Sequence, residues 1–296
     1  MRHYPPITPD DNGFTNVSVS TGNTKYKSKN GLLLTIDGTS LLKGINGDVV
    51  IPDGVTSIEF GAFCGCGSLT SVTIPDSVTT IGGQAFEACS SLISVVIPAS
   101  VTNIAQGAFA GCERLLSIEV LDNNPSYKSI SGLLLTNSGK DLLAVPCGKR
   151  TVRIPDGVVN IGDSAFYGCK YLSSVEIPDS MTSIGSHAFY GCNSLTNVTI
   201  PVGMISIGDL AFEGCNNLLY DRTTIPGVKL IDGWAVGYNR GLQDLDLAGV
   251  RGIGAGAFDD CASLTNVTIS GSVKHVGHSA FFLLLRIEKR GNRGWS

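Results

Sequence analysis

Aliphatic and small polar residues alternate with period two in stretches such as Ser71-Val72-Thr73-Ile74 and Asn197-Val198-Thr199-Ile200. This alternation predicts short strands with one face turned inward. Pro75 lacks an N–H and stops the strand, and Asp76 and Ser77 turn the chain. Val78 and Ile81 return it to the interior. Ala85 and Phe86 open a segment expected to form one helical turn, and Cys89 and Leu92 close the loop. The same wording recurs as AFCGCGSLTSVTI at 62–74, AFEACSSLISVVI at 85–97 and AFYGCNSLTNVTI at 188–200. The Phe of the Ala-Phe pair stands at 63, 86, 109, 166, 189, 212, 258 and 281, in steps of 23 broken by one step of 57 and one of 46. One such coil cannot bury its apolar side alone. Stacked at the parallel-strand spacing of about 4.8 Å, its neighbours cover it.

The organisation along the chain follows from that unit. Residues 1–16 read as a disordered leader, and 17–281 as a single solenoid with insertions at about 121–153 and 219–252. Tyr26-Lys27-Ser28 and Gly31-Leu32-Leu33-Leu34-Thr35 have a twin in Tyr127-Lys128-Ser129 and Gly132-Leu133-Leu134-Leu135-Thr136. Each twin is expected to form a hairpin-like element that leads into a fresh run of repeats. The segment 219–252 is irregular, keeping Ile225-Pro226 and a strand-like Leu245-Asp246-Leu247. After Ala280-Phe281 the pattern calls for Gly-Cys and Leu, but the chain reads FLLLRIEKRGNRGWS. The tail 282–296 is read as a makeshift cap or as a truncated or frame-shifted end. The latter leaves a strand edge open to self-association.

Spacings such as Leu69-x-x-Val72-x-Ile74 and Leu195-x-x-Val198-x-Ile200, in a repeat of this length, are those of leucine-rich repeats. The recurring Ala-Phe, Gly-Cys, Leu and Ile-Pro-Asp-x-Val-x-x-Ile-Gly elements resemble the BspA-like leucine-rich-repeat family over roughly residues 17–281. Ser77, Ser100, Ser180 and Gly54 occupy the position where general leucine-rich repeats carry asparagine, so no asparagine ladder is expected. The resemblance implies a β-rich solenoid, with short parallel strands on the concave side and short helical turns on the convex side. It further implies a cell-surface or secreted protein that serves adhesion or protein interaction.

Composition narrows the chemistry. A net charge of −4 offers no field for nucleic acid. No run approaches the roughly 18 apolar residues of a membrane span. The opening MRHYPPITPDDNGF has no apolar signal core, which leaves a cytoplasmic location open. Of nine cysteines, Cys66, Cys89, Cys112, Cys169, Cys192, Cys215 and Cys261 stand three residues after the Phe. They read as a buried ladder of free thiols whose parallel side chains are badly aimed for disulfides. His275 and His278 read as a surface pair, and Asp53, Asp76, Asp156 and Asp179 as turn residues rather than metal ligands. No catalytic residue, cofactor or metal site is assigned, and the chain is read as non-enzymatic.

What remains is surface. Strand residues expected to point outward are Ser71, Thr73, Ser94, Val96, Ser117, Glu119, Ser174, Glu176, Asn197, Thr199, Asn266 and Thr268. Tyr127, Lys128, Tyr238, Arg240 and Arg251 in the irregular segments supply the larger side chains that dominate binding hot spots, with Trp234 assigned to surface or core. The expected partner is a protein or a glycan. The alternative reading is an intracellular scaffolding repeat, or a truncated gene product.

Overall fold

The computed structural model describes residues 13–221, 223–239 and 241–282. Most coils carry two short parallel strands; in the coil of Asn197 one is reduced to a single bridge to Ser174. In one ladder Ser57–Ile58, Thr80–Ile81 and Asn103–Ile104 pair side by side, Ser57 opposite Thr80 and Thr80 opposite Asn103. Partners are one repeat apart, so the sequence period is the sheet register. In the other ladder Gly47–Val50 pairs with Leu69–Thr73, and Ser94–Ile97 with Ser117–Val120. Thr151–Arg153 likewise pairs with Ser174–Glu176, and Asp244–Asp246 with Asn266–Thr268. The alternation is realised, with Val72, Val95, Ile118, Val175 and Val198 buried between exposed or half-buried neighbours.

The expected helical turns on the far side are not there: among the described residues no helical element forms. A left-handed residue recurs every fourth position, as at Gly61 (φ 62°) and Gly65 (φ 73°), or Gln84 and Ala88 (both φ 56°). It bends the chain out of any helical run. Alternate N–H groups then bond to the next coil instead of within the segment. Phe63 N donates to Ala85 O and Gly65 N to Glu87 O; Phe166 N donates to Ala188 O and Gly168 N to Tyr190 O. Cooperative stacking between coils outcompetes the local helical ladder.

The Phe column forms the spine of the core. Ring centroids lie 5.0 Å apart for Phe63–Phe86, 5.5 Å for Phe86–Phe109, 4.5 Å for Phe166–Phe189 and 5.2 Å for Phe189–Phe212, all stacked. Beside it the cysteine thiols donate to the Phe carbonyls of the preceding coil. Cys89 Sγ reaches Phe63 O at 3.2 Å, Cys112 Sγ Phe86 O at 2.9 Å and Cys215 Sγ Phe189 O at 3.1 Å. The column therefore needs a small apolar residue with one donor, which is what a buried cysteine is. Serines do similar work at the turn after the strand: Ser77, Ser100 and Ser180 donate to Val55, Val78 and Val158 carbonyls one coil back. A serine ladder takes the place of the missing asparagines.

One cysteine departs from expectation. Cys169 is disulfide-bonded to Cys147, which lies in the chain returning from the insertion at 121–153 rather than in the Phe-spaced column. The insertion changes the path of that coil and brings a thiol against the rung. Seven thiols stay free, six of them buried, with Cys64 half-exposed. Burial and the neighbouring Glu87 push the Cys64 thiol up. Native protein at pH 8 is therefore expected to release one slow thiol equivalent in a disulfide-exchange titration. Seven are expected after denaturation, and nine after denaturation and reduction. Rapid reaction of several thiols in the native state would contradict the buried column.

Among the described residues antiparallel hairpins punctuate the stack at three places, and at the first two Leu32–Thr35 and Leu133–Thr136 also pair antiparallel with the next strands, Ser40–Lys43 and Asp141–Ala144. Their first strands are Tyr26–Lys29, Tyr127–Ile130 and Val228–Ile231, at intervals of 101 residues. Each turns on a residue pair with positive φ: Asn30-Gly31, Ser131-Gly132 and Asp232-Gly233. This is the mirror-image turn whose twist suits a hairpin. The irregular segment 219–252 is thus a third hairpin. Each hairpin opens its own core cluster, spanning Leu32 to Leu134, Leu133 to Trp234 and Ile225 to Ala280. Trp234 is 1% exposed and belongs to the core; an added Cβ at Gly252 would lie 2.6 Å from its ring. His275 stacks on Trp234 at 6.0 Å. Within the expected leader the chain is already tied down from residue 13, because Asn46 donates from Nδ2 to Gly13 O and from its backbone N to Phe14 O. Residues 1–12 and the tail from 283 onward lie outside the described residues, as does Arg240.

Candidate functional site

The alternating strand pattern sets aside one face that takes no part in the core. Ser71, Thr73, Ser94, Val96, Glu119, Ser174, Glu176, Asn197, Thr199, Asn266 and Thr268 are all exposed there, and Ser117 is half-buried. The hairpins divide this face into three blocks. The first brings together Ser71, Thr73, Ser94, Ser117 and Glu119, the second Ser174, Glu176, Asn197 and Thr199, and the third Asn266 and Thr268.

The structure adds charged residues to these columns that the repeat pattern did not single out. Asp48 stands beside Ser71 and accepts hydrogen bonds at 2.7 Å from the hydroxyls of both Thr70 and Ser71. These two bonds hold its carboxyl below the usual range. Arg153 stands beside Glu176 and reaches its carboxylate at 3.5 Å, with Asp156 at 3.4 Å on the other side. Such exposed pairs contribute about 1 kcal/mol or less. Asp244 accepts from Asn266 Nδ2 at 2.7 Å. These positions were missed because Gly47–Val50, Thr151–Arg153 and Asp244–Asp246 lie in coils that lack a full copy of the repeat wording. The signal available was the Val-x-Ile alternation at Val49-Val50-Ile51 and Val152-Arg153-Ile154.

Where the first block meets the second hairpin, the surface folds into a polar cleft of about 330 Å³. Its walls include Glu119 from the outward strand face, Asp122 and Asn123 from the turn that follows, Lys128 from the hairpin and Asn137 from the hairpin's far end. The frame is rigid. Asn124 is 5% exposed, donates from Nδ2 to Pro98 O and Val101 O, and accepts at Oδ1 from the backbone N of Ser126 and Tyr127. Ser129 Oγ accepts from Val120 N at 3.2 Å and donates to Glu119 at 3.5 Å. By contrast, the side chains of Asp122, Asn123 and Lys128 have no hydrogen-bond or ion-pair partner among the described residues.

The two candidate tyrosines of the irregular segments, Tyr127 and Tyr238, have duties of their own. Tyr127 OH accepts from Ile104 N at 2.8 Å and donates to Thr102 O, finishing the ladder where Asn103–Ile104 would otherwise end. Tyr238 OH donates to Asp259 O, and its ring tilts against Phe258. Arg251 donates to Asp232 O and Ile200 O. Among the described residues no three His, Cys, Asp or Glu side chains gather as a metal-binding group, and no helix is long and apolar enough to cross a membrane.

One further ionisable group escaped the sequence reading. Glu87 is 4% exposed, on the turn side, with Cys64 Sγ 4.0 Å from its carboxylate. Burial raises its carboxyl to about 7. The position takes Cys64, Ala110, Tyr167, Tyr190, Glu213 and Asp259 in other coils, with Glu213 exposed, so nothing in the repeat marked Glu87 as buried.

Comparison with known proteins agrees with this architecture. The model of the BspA-type leucine-rich repeat region matches in six copies, over residues 45–141, 145–246 and 235–289. Among solved structures, the chain is similar to the pneumococcal vaccine antigen PcpA, with 21% identity and a TM-score of 0.57 over 79% of this chain and 55% of that one. It is also similar to a leucine-rich cell surface protein of Faecalibacterium prausnitzii, with 29% identity and a TM-score of 0.50 over 78% of this chain and 61% of that one. The chain thus spans between half and two thirds of those two proteins. No curated protein matches.

Proposed function

Because the chain belongs to the BspA-type leucine-rich repeat family, we propose that it is a non-enzymatic interaction module of a cell-surface or secreted protein, with adhesion to a protein or glycan partner as its role. The observation that carries this reading is the outward strand face. Its side chains are exposed coil after coil, while the core, the serine ladder and the thiol column are completed without them. A rigid, repetitive, small-polar surface suits many weak contacts, reinforced when copies are displayed together. The similarity to a cell surface protein supports the location. So does the Cys147–Cys169 disulfide, since such bonds persist in oxidising compartments.

The test is a pull-down with the purified chain on host-cell and same-cell extracts, with bound material identified by mass spectrometry. The double variant Glu119→Lys, Glu176→Lys reverses charge in two blocks without touching the core. Host surface or matrix molecules held by the parent and lost by the variant are the expected outcome. Capture of same-cell proteins alone, equally by both, would overturn the adhesion reading.

A further inference from the structure

The polar cleft at the second hairpin has an internal comparison, because the same framework is built at the first. In the first hairpin, Val17 N donates to Gly31 O and Val19 N to Ser28 Oγ; in the second, Ile118 N donates to Gly132 O and Val120 N to Ser129 Oγ. The backbone frame is therefore shared at a spacing of 101 residues. Of the groups presented on it, Lys128 has a counterpart in Lys27, and the others do not. Where the second hairpin has Glu119, Asp122, Asn123 and Asn137, the first has Ser18, Thr21, Gly22 and Ile36. At the third hairpin the frame itself differs, with Leu219 N donating to Thr196 O and Asp221 N to Leu230 O; Tyr220, Thr223, Thr224 and Tyr238 stand at the matching positions, and Lys229 turns to Glu213 at 3.9 Å and to the Tyr220 ring. Holding the fold therefore does not require the second set.

From this we infer that the cleft is a carbohydrate-binding site, taking the neutral end of a glycan. Its volume of about 330 Å³ lies at the small end of ligand pockets, about 300–1,000 Å³, which suits a mono- or disaccharide. Its unpaired groups alternate in character: the Asp122 carboxylate accepts, the Lys128 ammonium donates and the Asn123 amide does both, while Asn137, whose Nδ2 donates to Pro125 O at 3.2 Å, adds its Oδ1 as an acceptor. A ring of adjacent hydroxyls, each donor and acceptor, satisfies such a set. A peptide anchor would need an apolar pocket to fill, and this cleft is lined mainly by polar groups. Two carboxylates disfavour phosphate, sulfate and acidic sugars. A lysine beside only two carboxylates makes a poor cation site. Binding is preorganised, because Asn124 fixes the turn that carries Asp122 and Asn123.

This inference rests on the interaction-module reading and narrows its partner. The experiment uses the full chain on a printed array of neutral and acidic oligosaccharides, followed by saturation-transfer NMR with the free mono- and disaccharides of any bound glycan. The control is the double variant Asp122→Thr, Asn123→Gly, which copies the first hairpin. Asn123 has φ 68°, so glycine fits its backbone and the fold is retained. Lys128→Ala is tested alone, with melting temperature recorded for each variant. The expected result is binding of neutral glycans that falls about tenfold or more in both variants at unchanged melting temperature, the loss of a charged hydrogen bond being worth about 1.5–3 kcal/mol. The inference is overturned by an array with no signal, by a signal confined to acidic glycans, or by binding that both variants keep. Protein capture sensitive to Glu176→Lys without any glycan signal would leave the interaction module standing and remove this site. Absence of both would remove both.

Discussion

Phe189→Ala is expected to lower stability by about 3–5 kcal/mol, the usual range for emptying a buried aromatic site. Phe189 is 0% exposed and stacks on Phe166 at 4.5 Å and on Phe212 at 5.2 Å. The change removes apolar burial and both ring contacts at once. It also leaves a void that the fixed spacing of coils cannot close. Each coil touches only its neighbours, so the damage should stay local before it spreads. Urea unfolding would report a lower midpoint. Amide exchange would show lost protection concentrated between the coils of Phe166 and Phe212, with the block around Phe63 and Phe86 keeping its own. Phe281 is only half-buried and has one ring neighbour among the described residues, Phe258 at 5.3 Å. Phe281→Ala should therefore cost no more than about 1–2 kcal/mol. Equal losses at both sites would show that the column does not act as the spine of the stack.

Glu87→Gln is expected to stabilise the protein at alkaline pH and to do little in acid. Burial raises the Glu87 carboxyl from 4.5 to about 7 in the folded chain. Between those values the folded state binds more protons than the unfolded one, so stability falls as pH rises through this window and levels off above it. A shift of this size corresponds to about 3 kcal/mol at most. Glutamine keeps the shape and loses the charge, which should flatten the profile between pH 4.5 and 7 and raise stability by about 2–3 kcal/mol at pH 8. Tyr167 and Cys64 face the same charge and are pushed up by burial and by Glu87 together, so their titration should ease in the variant. Urea midpoints of parent and variant from pH 4 to pH 9 would decide it. Parallel profiles would mean that the Glu87 carboxylate reaches water and carries no penalty.

Glu87 also shows where repeat reading stops. Its column is free to vary in sequence, and whether a given member is buried depends on what the adjacent coil contributes, here Ala110 and then Tyr167. The candidate cleft behaves the same way. Glu119 and Lys128 were legible as surface residues, one from strand alternation and one from the twin hairpins. Asp122, Asn123 and Asn137 were not, because a turn between two patterns has no period. Tyr127 was legible as a large side chain near the surface, but its hydroxyl is committed to Ile104 N and Thr102 O.

The amino-acid sequence by itself determined the coil, its length, its inward residues and its register. A 23-residue period with alternating strands and recurring Phe and Cys columns allows only in-register stacking, since any slip would turn aliphatic residues outward. The tertiary structure decided the rest. Backbone N–H groups on the turn side bond between coils rather than along a helix, because left-handed residues at every fourth position make the local ladder unavailable while the neighbouring coil supplies acceptors. Cys147 meets Cys169 because the insertion reroutes one coil. The polar groups of the cleft converge because a hairpin closes against the last strand of the preceding block. These are contacts between segments whose sequences carry no shared period, and only the packed chain brings them together.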